Sequence, residues 1–171
     1  STIIKKTIIA HPGTKVMILA HTKELISQAE DKLLTVWPDA DVGVYAAGLK
    51  RRQLRTVTIA SRDTIKNVID NVGKFDLVFI DEAHLIAPLA ESGYMKIIAA
   101  MQAVNPHLNV IGFTATPYRT ADGHIFYSDK EKAEGKASCK IFAGIAYEAK
   151  IKTLMNEGFL CRIISKRVKS E

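Results

Sequence analysis

Leu77-Val78-Phe79-Ile80-Asp81-Glu82-Ala83-His84 is an apolar run that stops abruptly at two adjacent carboxylates. Consecutive apolar residues without a polar alternation fit a strand buried on both faces of a parallel sheet. The acids then fall at the end of that strand. In an open α/β sheet the carboxyl ends of the strands are where ligands bind, because there the loops leave the sheet. Two readings of the pair stay open at this point. Asp81 and Glu82 suit a hydrolytic metal site, one carboxylate holding Mg²⁺ and its neighbour polarising an attacking water. They also suit the first turn of a following helix, whose dipole favours negative charge.

Working outward, the same pattern recurs. Ser1 to Ala10 reads as a short helix, with a strand as the alternative for so Ile-rich a segment, and is ended by His11-Pro12-Gly13. Val16 to Ala20 is a buried strand, and a helix from His21-Thr22-Lys23 to about Trp37 follows, with Leu25, Ile26, Ala29, Leu33 and Leu34 at helical spacing. Val42 to Ala46 and Val57 to Ala60 are further strands, and Ser61 is placed to cap a helix carrying Ile65, Val68 and Ile69 inward. After His84, Pro88 to Val104 reads as a helix with a weak spot at Ser92-Gly93, closed by Asn105-Pro106. Asn109 to Phe113 is a strand that ends at Thr114-Ala115-Thr116-Pro117.

Strand and helix therefore alternate through residue 117, which predicts an α/β fold: a mostly parallel sheet with helices on both faces. The polar clusters after each strand share one edge of such a sheet. That convergence favours a site at Asp81 and Glu82 over a helix cap.

Beyond residue 117 the pattern weakens. Ala121 to His124 is turn-rich, and residues 121–139 are expected to be a mobile loop. Ile141 to Ala146 is expected as a strand, Glu148 to Asn156 as a helix ended by Gly158, and Cys161 to Val168 as a last strand or a linker.

Composition narrows the class. With 171 residues and 47% hydrophobic content the chain can bury a core of its own. No apolar run approaches the roughly 20 residues that span a bilayer, so no membrane association and a cytoplasmic location are expected. Cys139 and Cys161 lack neighbours at zinc spacing and are expected to be reduced thiols. The net charge of +6 is uneven: residues 61–100 carry four Lys/Arg against six Asp/Glu, and residues 130–171 carry ten against five. Lys50, Arg51, Arg52 and Arg55 form a separate basic cluster, which reads as a phosphate-binding patch or as a solvated face.

Asp81-Glu82-Ala83-His84, followed some thirty residues later by Thr114-Ala115-Thr116-Pro117, resembles the first RecA-like motor domain of superfamily 2 DEAH-box helicases and translocases. Ala20-His21-Thr22-Lys23-Glu24-Leu25 looks like that family's motif Ia. Ala47-Gly48-Leu49-Lys50-Arg51, Asn105-Pro106-His107-Leu108 and Glu157-Gly158-Phe159-Leu160 look most like bacterial RadD-like DNA repair helicases, with restriction-enzyme Res-subunit motors close behind. The resemblance implies a RecA-like P-loop NTPase domain over residues 1–120, with residues 140–171 closing it and leading toward a second RecA-like domain.

It also implies ATP and Mg²⁺ as cofactors and nucleic acid as partner, DNA in preference to RNA. Asp81 would bind Mg²⁺ of MgATP, and Glu82 would orient the attacking water. His84, Thr114 and Thr116 would couple the nucleotide to the nucleic acid, whose phosphates would lie near Thr22, Lys23, Gly48, Lys50, Arg51, Ser61 and Arg62. Thr114 and Thr116 also read as ordinary turn residues, and His84 as a local hydrogen-bonding group.

The departures matter too. No Gly-x-x-x-x-Gly-Lys-Ser/Thr loop occurs in the sequence. By spacing to Ala20-His21 that loop would end at about Ser1 or Thr2, making the first helix the phosphate helix and either hydroxyl a vestigial Mg²⁺ ligand. The expected function is the ATP-binding motor domain of a nucleic-acid-dependent helicase or translocase, inactive as this chain alone. The alternative is a motor-like fold that grips nucleic acid or a protein without chemistry. A dinucleotide-binding oxidoreductase is disfavoured, since no Gly-x-Gly-x-x-Gly opens a helix after a strand.

Overall fold

The computed structural model describes residues 1–87, 92–119, 123–127 and 141–161. Its centre is β1 (Val16–Ala20), flanked by β4 (Val57–Ser61) and β5 (Leu77–Ile80), with β2 (Val42–Ala46) beyond β4 and β6 (Asn109–Gly112) beyond β5. All these pairings are parallel; only the two-residue β3 (Arg51–Arg52) runs antiparallel, against Tyr45 and Ala46, at the edge of the six-stranded sheet. The order β3-β2-β4-β1-β5-β6 leaves every crossover to be made by a helix or turn over a face of the sheet.

Both faces are covered, which is why the strands read as unbroken apolar runs. Val16 and Phe79 point to one side and pack with Ile4 of α1 (Thr2–Ala10) and Leu33 of α2 (Lys23–Val36). Further along that side, Ala20, Val44 and Ile59 meet Ile26 of α2. Met17, Leu19, Val78 and Ile80 alternate to the other side, where they meet Ile65 of α3 (Arg62–Ile65) and Tyr94, Ile97 and Met101 of α4 (Gly93–Val104). The period of two sends neighbours in one strand into different cores.

Most expected elements are present with ends shifted by a residue or so. Thr22 caps α2, its hydroxyl accepting from Leu25 N at 3.2 Å, and Ser92 caps α4 by accepting from Met95 N at 3.3 Å. The helix expected from Pro88 thus has its start at Gly93, the weak spot having become the cap; residues 88–91 lie outside the described residues. The helix after Ser61 is a single turn, Ser61 makes no capping bond, and Ile69 sits in a separate 3-10 turn, Ile69–Asn71. Asn105 closes α4 as expected. Its buried Nδ2 donates to Phe75 O at 2.7 Å and its Oδ1 accepts from His107 N at 3.2 Å, tying the helix end to the approach to β5.

Two features went unanticipated. Arg51–Arg52 forms a strand, and Tyr118–Arg119 pairs antiparallel with Gly123–His124 as a short ribbon (β7 and β8). The strand expected over Ile141 to Ala146 is not formed; among the described residues only Phe142 pairs there, in an isolated bridge to Phe126. A helix does occupy Ile151–Asn156, followed by Gly158 at φ +79°. Most of the expected loop at 121–139 and the stretch from 162 onward, including most of the expected final strand, lie outside the described residues, as does Cys139; Cys161 is a free, exposed thiol. Among the described residues no helix is long and apolar enough to cross a membrane.

Candidate functional site

The register of the sheet brings the strand ends to one rim. Ala20 lies opposite Ser61, Leu19 opposite Ile80, and Ile80 opposite Gly112. Asp81 therefore leaves the sheet beside Ala20 on one flank and Phe113 on the other, its N–H donating to Leu19 O at 3.3 Å.

Asp81 and Glu82 are shaped by a tight reversal. Asp81 Oδ1 accepts from Glu82 N at 3.0 Å, and Glu82 adopts φ +51°, ψ +50°, a left-handed conformation that an L residue enters at a cost of about 1–2 kcal/mol. The turn throws Ala83–Leu85 into one 3-10 turn, where buried Ala83 donates its N–H to Phe113 O at 2.9 Å. Glu82 occupies the capping position of that turn without a side-chain capping bond, so the pair does not serve as a cap for a long helix.

His84 joins this loop to the next strand end. Its Nδ1 lies 3.0 Å from Thr114 Oγ1 and 3.2 Å from Glu82 Oε2. The Thr114 hydroxyl donates to Thr116 O at 3.1 Å and accepts from Thr116 N at 3.1 Å, closing the Thr-Ala-Thr turn on itself. His84 Nδ1 thus lies within hydrogen-bonding reach of both the Thr114 hydroxyl and the Glu82 carboxylate, with its donor or acceptor role set by the tautomer. Thr116 takes part through its backbone rather than its hydroxyl.

The donor set fits a hard cation bound largely by a substrate. Among the described residues no group of three His, Cys, Asp or Glu could form a protein cage for a metal. A lone strand-end carboxylate such as Asp81 instead matches Mg²⁺, which keeps waters and takes its remaining ligands from phosphate oxygens.

The other expected contacts line the same rim at β1, β2 and β4. Thr22 and exposed Lys23 open α2; Gly48 and Lys50 lie in the turn after β2; Ser61 and Arg62 follow β4. Gly48 passes so close to Lys23 that a Cβ there would fall 2.3 Å from Lys23 Cε, and Lys50 holds φ +54°. Arg62 is engaged within the protein, with Nη2 3.0 Å from Asp63 Oδ1 and its guanidinium 5.4 Å from the Tyr94 ring centroid. Arg51 forms a fork with Glu30, its Nη1 and Nη2 donating at 2.6 and 2.7 Å. Ser1 and Thr2 begin α1, whose Ile4 packs in the cluster with Val16 and Phe79. No side-chain bond joins either hydroxyl to the acid loop among the described residues.

Three participants were not singled out from sequence. Gly112 lets Ala83 and Phe142 approach, since a Cβ there would lie 2.6 Å from Ala83 Cβ and 2.5 Å from Phe142 Cζ. Buried Tyr94 packs beneath Arg62, and its hydroxyl has no hydrogen-bond partner among the described residues. Glu30 holds Arg51. Of these only Gly112, a glycine ending a strand, carried a local signal.

A parallel sheet wound in this order, with an acidic strand end bonded through histidine to the threonine turn of the neighbouring strand, defines an α/β domain of the helicase-like, ATP-dependent motor class. Residues 1–119 match the family described as type III restriction enzyme, res subunit, and the chain belongs to that family. Its members are P-loop helicase-like domains that generally use ATP and Mg²⁺. No curated protein matches the chain.

Proposed function

We propose that this domain is the first motor domain of a DEAH-box helicase or translocase acting on DNA in preference to RNA. It would be of the kind found in RadD-like repair helicases and restriction motors, and would work in the cytoplasm. The observation that carries this is the His84 imidazole held between the Glu82 carboxylate and the Thr114 hydroxyl. A group bonded to both can feel a change at either.

Asp81 is the residue that would hold Mg²⁺, which when bound would neutralise charge on the phosphates of ATP. Glu82, one carboxylate oxygen anchored by His84, would present the other to a water and accept its proton as that water displaces ADP from the terminal phosphorus, the bridging P–O bond breaking and the electron pair leaving with ADP. Through its contacts, His84 would pass a shift of Glu82 to the Thr114–Thr116 turn. Thr22, Lys23, Gly48, Lys50, Ser61 and Arg62 line the rim where a sugar-phosphate chain would lie. Ser1 or Thr2 would sit beside the phosphates at the head of α1. Turnover would also draw on a phosphate loop and on a second RecA-like domain bearing an arginine.

The alternative is a binding module with a motor-like fold that grips nucleic acid or a protein without chemistry. ATP hydrolysis by the longest natural chain carrying this domain, with and without single- and double-stranded DNA and RNA, separates the two. The motor reading expects turnover raised by DNA. Nucleic-acid binding with no stimulated turnover supports the module.

A further inference from the structure

We infer that Arg51 is a positioning residue of the nucleic-acid rim rather than one of its phosphate contacts, and that Glu30 is its partner in this role. The inference rests on the nucleic-acid reading given above and reassigns one member of the basic cluster.

A guanidinium offers five N–H donors. Arg51 spends four: Nη1 and Nη2 on the two oxygens of Glu30 at 2.6 and 2.7 Å, and Nη2 and Nε on Gln53 Oε1 at 3.2 and 3.4 Å. The planar fork matches the carboxylate, an arrangement that fixes direction as well as charge. The hydrogen bond from Glu30 holds the Arg51 pKa above its ordinary value, against the opposing effect of burial. Little of the group is left to offer a phosphate.

What the fork holds in place is the turn after β2. Ala47–Leu49 is one 3-10 turn, closed by Lys50 N donating to Ala47 O at 2.9 Å, and Lys50 itself is left-handed at φ +54°. An L residue enters that region only when its surroundings impose it. Two anchors do so. On one flank the Thr64 hydroxyl of α3 accepts from Ala47 N at 3.1 Å. On the other, Arg51 follows Lys50 directly and is clasped to Glu30 in the middle of α2, the helix whose first turn carries Lys23. Gly48 then lies against the Lys23 side chain. The clasp thus sets the spacing between two lysines on different elements, and aims Lys50 outward.

The two roles for Arg51 give opposite signs on loss of Glu30. Were Arg51 a phosphate contact, Glu30→Gln would release it and remove a negative charge, and binding would hold or tighten. As a positioning residue it predicts weaker binding, by roughly fivefold or more. The test is fluorescence anisotropy of a labelled oligo-dT against this chain over a range of NaCl concentrations. The expected results are a loss in Glu30→Gln with the slope of log K against log salt unchanged, and a slope smaller by about one in Lys50→Ala. The double variant Glu30→Arg/Arg51→Glu should recover most of what Arg51→Glu loses. Tighter or unchanged binding in Glu30→Gln, or a double variant as weak as Arg51→Glu, overturns the assignment of Arg51 alone. Wild-type chain that binds no oligonucleotide at any salt concentration overturns the nucleic-acid reading, and this inference with it.

Discussion

Glu82 holds a backbone conformation that its own side chain disfavours, at φ +51°. The reversal it makes is what brings Ala83 back to Phe113 and His84 to Thr114. Glycine tolerates this region without the Cβ clash, though it loses more entropy on folding. Glu82→Gly is therefore expected to stabilise the fold by about 0.5–1 kcal/mol in urea titrations while removing the carboxylate proposed to position water. A destabilisation would mean that the Glu82 side chain contributes more than its strain costs. Asp41 illustrates a different residue-level effect. Its carboxylate accepts from Thr56 N at 3.0 Å and from Thr56 Oγ1 at 2.8 Å, and these bonds, the backbone one foremost, hold its pKa below the ordinary value. A depressed folded pKa adds stability above the unfolded value of about 3.9, and that stability is lost as pH falls through the folded one. Thermal melts of wild type and Asp41→Asn should differ at pH 7 and converge below about pH 4; a gap that widens on acidification would contradict the assignment.

At the scale of elements, the acid loop and β6 fit together because Gly112 has no side chain. Gly112→Ala would drive a methyl group into Ala83 Cβ and the Phe142 ring, at separations of 2.6 and 2.5 Å. Phe142 can swing away, but Ala83 is buried in the loop that carries Glu82. We expect a loss of about 1–3 kcal/mol in stability from overpacking, read by denaturant midpoint. An unchanged midpoint would show that the loop yields freely. The elements legible in the sequence were those whose burial is two-sided or whose ends are capped: β1, β4 and β5 as apolar runs, α2 behind Thr22, and α4 up to Asn105. Arg51–Arg52 was not, because a two-residue basic strand exists only by pairing with Tyr45 and Ala46. Ile141 to Ala146 misled for the converse reason: among the described residues it finds a strand partner only at Phe142. Of the site, the acids and the threonine turn were readable as strand-end motifs. The clasp of Glu30 on Arg51 was not, since nothing local distinguishes one helical glutamate from another before the chain folds back on α2.

Across the whole molecule, the sheet order places β5 between β1 and β6, so the acid loop stands between the rim that carries Thr22 and Lys23 and the threonine turn at Thr114. Chemistry at Asp81 and Glu82 would then border a nucleic-acid face on one flank and a bonded relay on the other. The proposed motor function rests on Glu82 handling the attacking water. The most direct test measures DNA-stimulated ATP turnover of the longest natural chain carrying this domain, as wild type and as Glu82→Gln. The account predicts a kcat at least about a hundredfold lower in the variant, with nucleotide and DNA affinities largely kept. Stimulated turnover that survives the substitution would contradict it.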